Sequence, residues 1–270
     1  MLTPWHDRYF NMIVDSFAAD PGSAGDKPRT YAVPAETAVY AIGDIHGRSD
    51  LLAELHAGIA TNAASRNVTR RVIVHLGDYV DRGPDSKGVI DRLLDAIPAG
   101  FESIALLGNH ERMMLDFLED ASIGPLWLRN GGDATMLSYG VAYDAKGGFD
   151  LQRLRGLQGE LRHRLPERHL AFLLGLRLLH VEGDYAFVHA GIRPGVDLEA
   201  QEEMDLLWVR GLFLRSEHDH GRMIVHGHTI VPEPEILPNR IGIDTGAWYT
   251  GRLTTLALEG SRRHLLATAP

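Results

Sequence analysis

The first half of the chain repeats a short apolar run, a polar turn and an amphipathic stretch three times. The runs TAVYAIGD, RVIVHLGD and ESIALLGN each end in glycine followed by Asp44, Asp78 or Asn109. Strand, turn and helix in this order are typical of a βαβ sheet. Because ligands bind beyond the carboxyl ends of the strands in such sheets, we expect these three polar residues to lie at a functional site.

Each polar turn precedes a stretch with helical spacing. The apolar face of the first stretch consists of Leu51, Leu52, Leu55 and Ile59. A similar stripe in the second stretch consists of Val89, Ile90, Leu93, Leu94 and Ile97. The third stretch is HERMMLDFLED. The pattern therefore predicts one helix after each strand.

The second half of the chain has a different pattern. Two apolar runs flank Gly183 and Asp184 in LLHVEGDYAFVHAG, which indicates a hairpin and the start of antiparallel pairing. Further short strands are predicted in RMIVHGHT, RIGIDTG and LTTLALEG, whereas residues 121–176 are less regular and could cap the site or cover a sheet face. We therefore predict a mixed α/β fold, in which a parallel first half and an antiparallel second half form two packed sheets with helices outside.

The segment before the first strand has the composition of a linker. It contains ADPGSAGDKPRT, which is rich in glycine, proline and charge. We expect residues 1–36 to form an N-terminal extension and residues 37–270 to form a single compact domain.

Composition narrows the chemistry and the partners. The chain has no cysteine and fourteen histidines, so any metal must be held by His, Asp, Glu or Asn. With 27 Lys and Arg against 36 Asp and Glu, the net charge of −9 counts against a nucleic-acid partner. The first twenty residues have no apolar run of signal-peptide length and no window approaches eighteen apolar residues, so we expect a cytoplasmic protein without a membrane partner.

Several segments combine residues that bind metals or phosphate. Asp44 and His46 in GDIHG are two apart, so in an extended stretch both would face one metal ion. A single Gly-Asp pair is more typical of a turn, but four later segments add chemistry of the same kind. They contribute Asp78, Asp81 and Arg82 in GDYVDRG, Asn109 and His110 in GNHE, His189 in HAG, and His226 and His228 in HGHT.

These motifs, taken in order, resemble the calcineurin-like metallophosphoesterases. The resemblance runs from about residue 37 to 259 and is to the branch that contains phosphoprotein phosphatases and their bacterial and phage relatives. It implies a four-layer αββα sandwich with two mixed sheets, and makes residues 37–270 a catalytic domain.

The resemblance also implies a site for two divalent metal ions. Asp44 and His46 would bind the first ion, Asp78 would bridge both, and the second would be held by Asn109, His189 and His228. A shared carboxylate offsets the repulsion between two ions. Imidazole, carboxylate and amide donors suit Mn, which we expect, and also Fe, Zn or Co.

The remaining residues would act on the phosphoester. By resemblance, a hydroxide that bridges the metals attacks phosphorus, His110 protonates the leaving oxygen and Asp81 orients His110. Arg82 and Arg210, the latter in LLWVRG, would hold the phosphoryl oxygens.

Two further residues have open assignments. Arg48 would be a third phosphate ligand or a solvated arginine at a helix start. His226 lies two residues before His228, and we assign it to the substrate side or to the surroundings of the ligands rather than to the metal.

The branch sets the expected activity. Ile230 stands where many metallophosphoesterases have a last metal histidine, which favours a phosphomonoesterase resembling bacterial Ser/Thr protein phosphatases, acting on phosphorylated proteins or small phosphoesters. The alternatives are a dinucleoside polyphosphate (diadenosine tetraphosphate) hydrolase, which typically has Gln where this chain has His46, a small-metabolite phosphatase, and a non-catalytic scaffold of the same fold.

Overall fold

The computed structural model describes residues 30–144 and 148–269. Its strands are β1 (Thr37–Ile42), β2 (Arg70–His75), β3 (Glu102–Ala105), β4 (Leu179–Glu182), β5 (Tyr185–Val188), β6 (Met223–His226), β7 (Glu235–Ile236), β8 (Arg240–Gly242), β9 (Thr254–Glu259) and β10 (Arg262–Ala267). The longer helices are α1 (Ser49–Ala64), α2 (Ser86–Asp95), α3 (Asn109–Glu119), α6 (Leu151–Arg164) and α7 (Glu167–Leu174). Shorter helices are α4 (Gly124–Trp127), α5 (Asp133–Ser138), α8 (Glu203–Trp208), α9 (Gly211–Leu214) and α10 (Ala247–Thr250).

The strands form two five-stranded mixed sheets. The first has the order β10-β9-β1-β2-β3, in which β1, β2 and β3 are parallel. The second has the order β4-β5-β6-β8-β7, in which β5, β6 and β8 are parallel. The three predicted strand, turn and helix units are confirmed as β1-α1, β2-α2 and β3-α3.

Successive side chains of β1 point to opposite faces of the first sheet and show how the layers pack. Val39 and Ala41 lie in the apolar core between the two sheets, where Phe187 and Val225 of the second sheet also lie. Tyr40 points the opposite way, into the core beneath the helices of the first sheet. A third cluster packs the outer face of the second sheet against α8 and α9. The order of layers is therefore helix, sheet, sheet, helix.

The prediction of an antiparallel second half is only partly right. The hairpin at Gly183 is confirmed, because β4 and β5 pair antiparallel with Glu182 opposite Tyr185. However, β5, β6 and β8 run parallel. The chain between β5 and β6 contains α8 and α9, and a crossover of this length lets the next strand run in the same direction. The strand β9 joins the first sheet, antiparallel to β1.

The chain just before β1 packs against the rest of the structure. Tyr31 and Val33 are buried in the core between the sheets, and the amide of Val33 donates to the carbonyl of Gly260 at 3.0 Å. The predicted boundary at residue 37 stays a prediction, and residues 1–29 of the predicted extension lie outside the described residues. In the part of the chain that is described, no helix has the length and apolar character needed to cross a bilayer.

Candidate active site

The predicted site residues meet where strands of both sheets end. Asp44, Asp78 and Asn109 follow β1, β2 and β3, while His189 and His228 follow β5 and β6. All five residues are buried. The carboxyl ends of parallel strands lie at one edge of each sheet, and the two edges adjoin here.

Asp78 lies at the centre of this cluster. Its Oδ2 is 3.4 Å from His46 Nε2, and its Oδ1 is 3.4 Å from His189 Nε2. Two groups with metal-ligating atoms share this carboxylate, one with His46 and His110 and the other with His189 and His228. The Asp78 carboxylate therefore has a metal-ligating histidine nitrogen beside each of its two oxygens.

Backbone carbonyls set the tautomers of two of these histidines. His46 Nδ1 lies 2.8 Å from the carbonyl oxygen of Val80, and His189 Nδ1 lies 3.0 Å from that of Leu76. Each Nδ1 must donate, which leaves a lone pair on each Nε2, beside Asp78, that can bind a metal or accept a hydrogen bond. Burial lowers the pKa of both imidazoles and keeps them in the neutral form that binds metals.

Asn109 and His228 complete the second group. Asn109 Oδ1 lies 2.8 Å from His189 Nε2 and 2.9 Å from His228 Nδ1. Three donor atoms of the type that transition metals accept therefore converge on one point. Burial lowers the pKa of His228 as well, so this imidazole is neutral.

Asp44 has an unsatisfied carboxylate oxygen. Its Oδ2 accepts the amide of His228 at 3.0 Å, whereas its buried Oδ1 has no hydrogen-bond partner among the described residues. Burial and the neighbouring carboxyls of Asp244 and Asp78 raise the pKa of Asp44 well above its ordinary value. A buried carboxylate cluster of this kind fits a bound cation, which would satisfy Oδ1 and offset the repulsion.

Asp244 was not predicted from the sequence. It is buried beside Asp44, its Oδ1 accepts the amide of Gly246 at 2.9 Å, and burial raises its pKa to about 6. A signal was present, because the apolar run of β8 ends in GIDTG and places an acidic residue after a strand as β1 and β2 do.

His110 and Asp81 form a buried pair next to Asp78. His110 Nδ1 donates to Asp81 Oδ2 at 2.7 Å, and His110 Nε2 is 3.9 Å from Asp78 Oδ2. Burial opposes protonation of His110, but the carboxylates of Asp78 and Asp81 outweigh it and raise its pKa. His110 is therefore suited to carry a proton.

The less regular segment 121–176 holds Asp81 in place. Trp127 Nε1 donates to Asp81 Oδ2 at 2.9 Å, and Thr135 Oγ1 donates to Asp81 Oδ1 at 2.7 Å. Neither donor was predicted from the sequence. This part of the chain therefore supports the site, while other residues of it pack against the helical core of the first sheet.

Two predicted arginines point at the cluster. Arg82 Nη1 is 3.0 Å from His46 Nε2, and Arg82 Nη2 is 3.0 Å from His110 Nε2. Arg210 Nε donates to His228 Nε2 at 3.0 Å. Guanidinium groups therefore lie beside both halves of the histidine cluster.

The structure does not bring Arg48 and His226 into the cluster. Arg48 donates to Asp50 at 2.7 and 2.9 Å and to the carbonyl of Ala247 at 3.1 Å. His226 packs against Phe213 with ring centroids 5.1 Å apart, on the outer side of the second sheet. The two-residue spacing from His226 to His228 does not put both on one side, because His228 has a φ of 61°.

Glu111, in GNHE, has a structural position that the sequence did not reveal. Its Oε1 accepts the amides of Tyr79 at 2.7 Å and Val80 at 3.1 Å. Its Oε2 accepts the amides of Asp78 at 2.8 Å and Gly108 at 3.0 Å. This one carboxyl group therefore holds the loop that carries Asp78.

The site concentrates unusual backbone conformations. Six described non-glycine residues have positive φ, and five of them are at the site: His46, Asp78, Asp81, Arg82 and His228. Such conformations cost free energy and persist where tertiary contacts enforce them. Close approach explains two of the motif glycines, because a Cβ at Gly108 would lie 2.2 Å from Asp78 Oδ1 and one at Gly227 would lie 2.0 Å from Asp44 Oδ1.

Comparison with known proteins identifies the family of the chain. The profile of a family described as calcineurin-like phosphoesterase matches residues 37–246. Serine/threonine-protein phosphatase 1 of Salmonella typhimurium is 30% identical over 230 residues, which cover 82% of this chain and 92% of that protein. Bis(5'-nucleosyl)-tetraphosphatase PrpE of Bacillus thuringiensis is 28% identical over 80% of this chain and 88% of that protein.

The solved structures show the same fold. The crystal structure of a protein assigned as a diadenosine tetraphosphatase matches with a TM-score of 0.57 and 21% identity, covering 88% of this chain and 99% of that one. The expected architecture of two mixed sheets flanked by helices is confirmed. The chain belongs to the calcineurin-like phosphoesterase family and is a hydrolase that acts on phosphoric esters.

Proposed function

We propose that this chain is a metal-dependent phosphomonoesterase of the Ser/Thr protein phosphatase type. The observation that carries the proposal is the position of Asp78, whose two oxygens each lie 3.4 Å from a histidine nitrogen, of His46 on one side and His189 on the other. A carboxylate placed between two sets of donors fits a bridging ligand of two divalent ions. The similarity to a Salmonella protein named as a Ser/Thr phosphatase supports the substrate class.

The donors divide into two sets that share Asp78. Asp44 and His46 would hold the first ion, and the second would be held by Asn109, His189 and His228. The metal proposed is Mn, with Fe, Zn or Co as alternatives, because imidazole mixed with carboxylate and amide oxygens suits these ions. When bound, two such ions lower the pKa of water and offset negative charge on phosphoryl oxygens.

The other side chains act on the phosphoester itself. Asp78 and Asp81 raise the pKa of His110 in spite of its burial, which suits the imidazole to proton transfer at Nε2. We assign His110 the protonation of the leaving oxygen, with Asp81 holding its Nδ1 at 2.7 Å. Arg82 and Arg210 would hold the phosphoryl oxygens through fixed N–H donors.

A second candidate function is hydrolysis of dinucleoside polyphosphates. The similarity to a Bacillus protein named as a bis(5'-nucleosyl)-tetraphosphatase favours it, as do the exposed aromatic rings of Trp248 and Tyr249, because the ring of Trp248 is 5.8 Å from the guanidinium of Arg82. A small-metabolite phosphatase would use the same donors. A non-catalytic scaffold is the weakest alternative, because it would need neither the two groups of metal-ligating atoms that share Asp78 nor the buried His110–Asp81 pair.

The basic proposal can be tested with an artificial substrate. Metal-free protein should hydrolyse p-nitrophenyl phosphate only after a divalent metal is added, with Mn the most effective. Absence of turnover with Mn, Fe, Zn and Co would refute the proposal. The exposed His264 provides a control, because His264→Asn should keep both metal content and rate.

Two substitutions separate the proposed roles. Asp78→Asn should abolish metal-dependent turnover and lower the metal content measured by elemental analysis. His110→Asn should keep the metal but lower kcat about 100-fold or more, least for substrates with a good leaving group, since general acid catalysis contributes about 10²–10⁴-fold. Loss of metal in His110→Asn would contradict the role assigned to this residue.

The substrate class requires a separate measurement. If the chain is a protein phosphatase, kcat/KM should be higher for a phosphoserine peptide than for diadenosine tetraphosphate. The reverse ranking would favour the second candidate. The cytoplasmic location stays a prediction, which fractionation of the source cells would test.

A further inference from the structure

Two exposed aromatic side chains lie at the edge of the site and are not among the metal ligands or the phosphoryl-binding and proton-transfer residues proposed above. After Asp244, the chain turns through Gly246 into α10, which carries Trp248 and Tyr249. Trp248 is 38% exposed and Tyr249 is 57% exposed. Among the exposed large hydrophobic side chains of the described residues, these two are the aromatic ones, and they are adjacent.

The pair is held in a defined position. The rings of Trp248 and Tyr249 meet edge to face, with centroids 5.1 Å apart and planes at 67°. The Tyr249 ring lies directly on Gly246, where a Cβ would come within 2.3 Å of a ring carbon. Ala247 is buried, and its carbonyl accepts Arg48 Nη1 at 3.1 Å. The positions of the two rings are therefore fixed by contacts with Gly246 and by the buried, hydrogen-bonded Ala247.

Trp248 is next to a side chain that is aimed at the reaction centre. The guanidinium carbon of Arg82 lies 5.8 Å from the centroid of the Trp248 ring. The Nη atoms of the same guanidinium are 3.0 Å from His46 and His110. Arg82 thus connects the histidine cluster to the aromatic pair, and a phosphoryl group held by Arg82 would leave the rest of its substrate beside Trp248.

We propose that Trp248 and Tyr249 form a subsite that binds a planar aromatic ring of the phosphoester substrate. The inference rests on the proposed function, since it places the ring relative to a phosphoryl group on Arg82. Exposed aromatic faces next to a cationic group stack planar rings with little dependence on the ring's hydrogen-bonding edges. Such a ring could be a nucleobase or the aryl group of an aryl ester. The two kinds of substrate hold the ring at different distances from phosphorus.

Binding of probes that are not hydrolysed tests the subsite without turnover. Isothermal titration of the Mn-supplied protein would compare phenylphosphonate with methylphosphonate, and adenosine 5'-(α,β-methylene)diphosphate with methylenediphosphonate. We expect the ring-bearing member of at least one pair to bind about tenfold more tightly. The pair with the larger difference identifies the source of the ring as aryl or nucleobase. Equal affinities within both pairs would overturn the proposal.

Substitutions at Trp248 test whether the advantage comes from its ring. Trp248→Leu should remove most of the difference within the pair, whereas Trp248→Phe should retain it. If Trp248→Leu weakens both members of a pair equally, the ring only supports Arg82, and the proposal is wrong. Leu174→Ala, at an exposed position on α7, is the surface control and should change neither affinity.

Turnover distinguishes failure of this inference from failure of the proposed function. Hydrolysis of phosphoesters without any ring preference would leave the proposed function intact and overturn the subsite. A ring preference in binding without hydrolysis of any phosphoester would support the subsite and overturn the proposed function.

Discussion

Glu111 offers a sharp test of how the site is built. Its carboxyl group accepts four backbone amides, two on each oxygen, and so uses the acceptor capacity of a carboxylate in full. Glu111→Gln keeps the shape but replaces one oxygen with an NH₂ group. Whichever way the amide is turned, two buried N–H donors then face another donor.

The expected cost follows from those two donors. Each buried donor left without an acceptor costs about 1–3 kcal/mol, so the substitution should lower the free energy of unfolding by about 2–6 kcal/mol. That is a large part of the roughly 5–15 kcal/mol that stabilises a typical protein. Because the amides belong to Asp78 and its neighbours, we also expect weaker metal binding.

Urea unfolding of the metal-free protein measures the effect. Glu119→Gln is the matched control, because Glu119 is on the same helix and is exposed. Burial favours the neutral acid and raises the pKa of Glu111 to about 8, whereas hydrogen bonds from the four backbone amides favour the ionised carboxylate. If Glu111→Gln costs less than about 1 kcal/mol more than Glu119→Gln, a neutral group satisfies the loop and the reasoning fails.

Three further predictions concern other parts of the molecule. Gly227→Ala would force a Cβ against Asp44 Oδ1 and should lower the metal content per chain, whereas the control Gly58→Ala, with open space around its Cβ, should leave the metal content unchanged. Equal metal contents of the two variants by elemental analysis would contradict the prediction. Burial lowers the pKa of His56 to about 4, so its imidazole stays neutral in the folded protein while the same residue in the unfolded chain takes up a proton below about pH 6.5. His56 should therefore contribute a loss of about 1.4 kcal/mol in the free energy of unfolding for each unit that the pH falls below 6.5, and an NMR titration midpoint near 6.5 for this ring would be inconsistent with its burial. Asp81→Asn removes a carboxylate that raises the pKa of His110, so the high-pH loss of kcat should move to lower pH with unchanged metal content; an unmoved profile would exclude Asp81 from this role.

Local patterns predicted much of the fold. The strands β1, β2 and β3, their helices and the β4–β5 hairpin all depend on residue periodicity and turn chemistry over about ten residues, which a single sequence displays directly. The parallel pairing of β5, β6 and β8 was not predicted. It depends on how long connections fold back over the second sheet, and no short segment carries that information.

Contacts between residues far apart in the chain form parts of the site that no local pattern predicts. Asp244 lies beside Asp44 although the two are two hundred residues apart in the chain. Trp127 and Thr135 reach Asp81 from a segment without a recognised motif. The two-residue spacing of His226 and His228 predicts a common side only for an extended chain, and the positive φ of His228 departs from that geometry.

The sequence by itself determined which chemical groups are available and in which short segments they occur. Residue type sets whether a side chain can bind a metal, donate a proton or hold a phosphate, and the motif order placed the chain in its family. Only the tertiary structure decided which groups share a point in space, which oxygen is left without a partner and which ring faces Arg82. Those properties arise from burial and from neighbours supplied by other strands, because a side chain's pKa, tautomer and orientation depend on its surroundings.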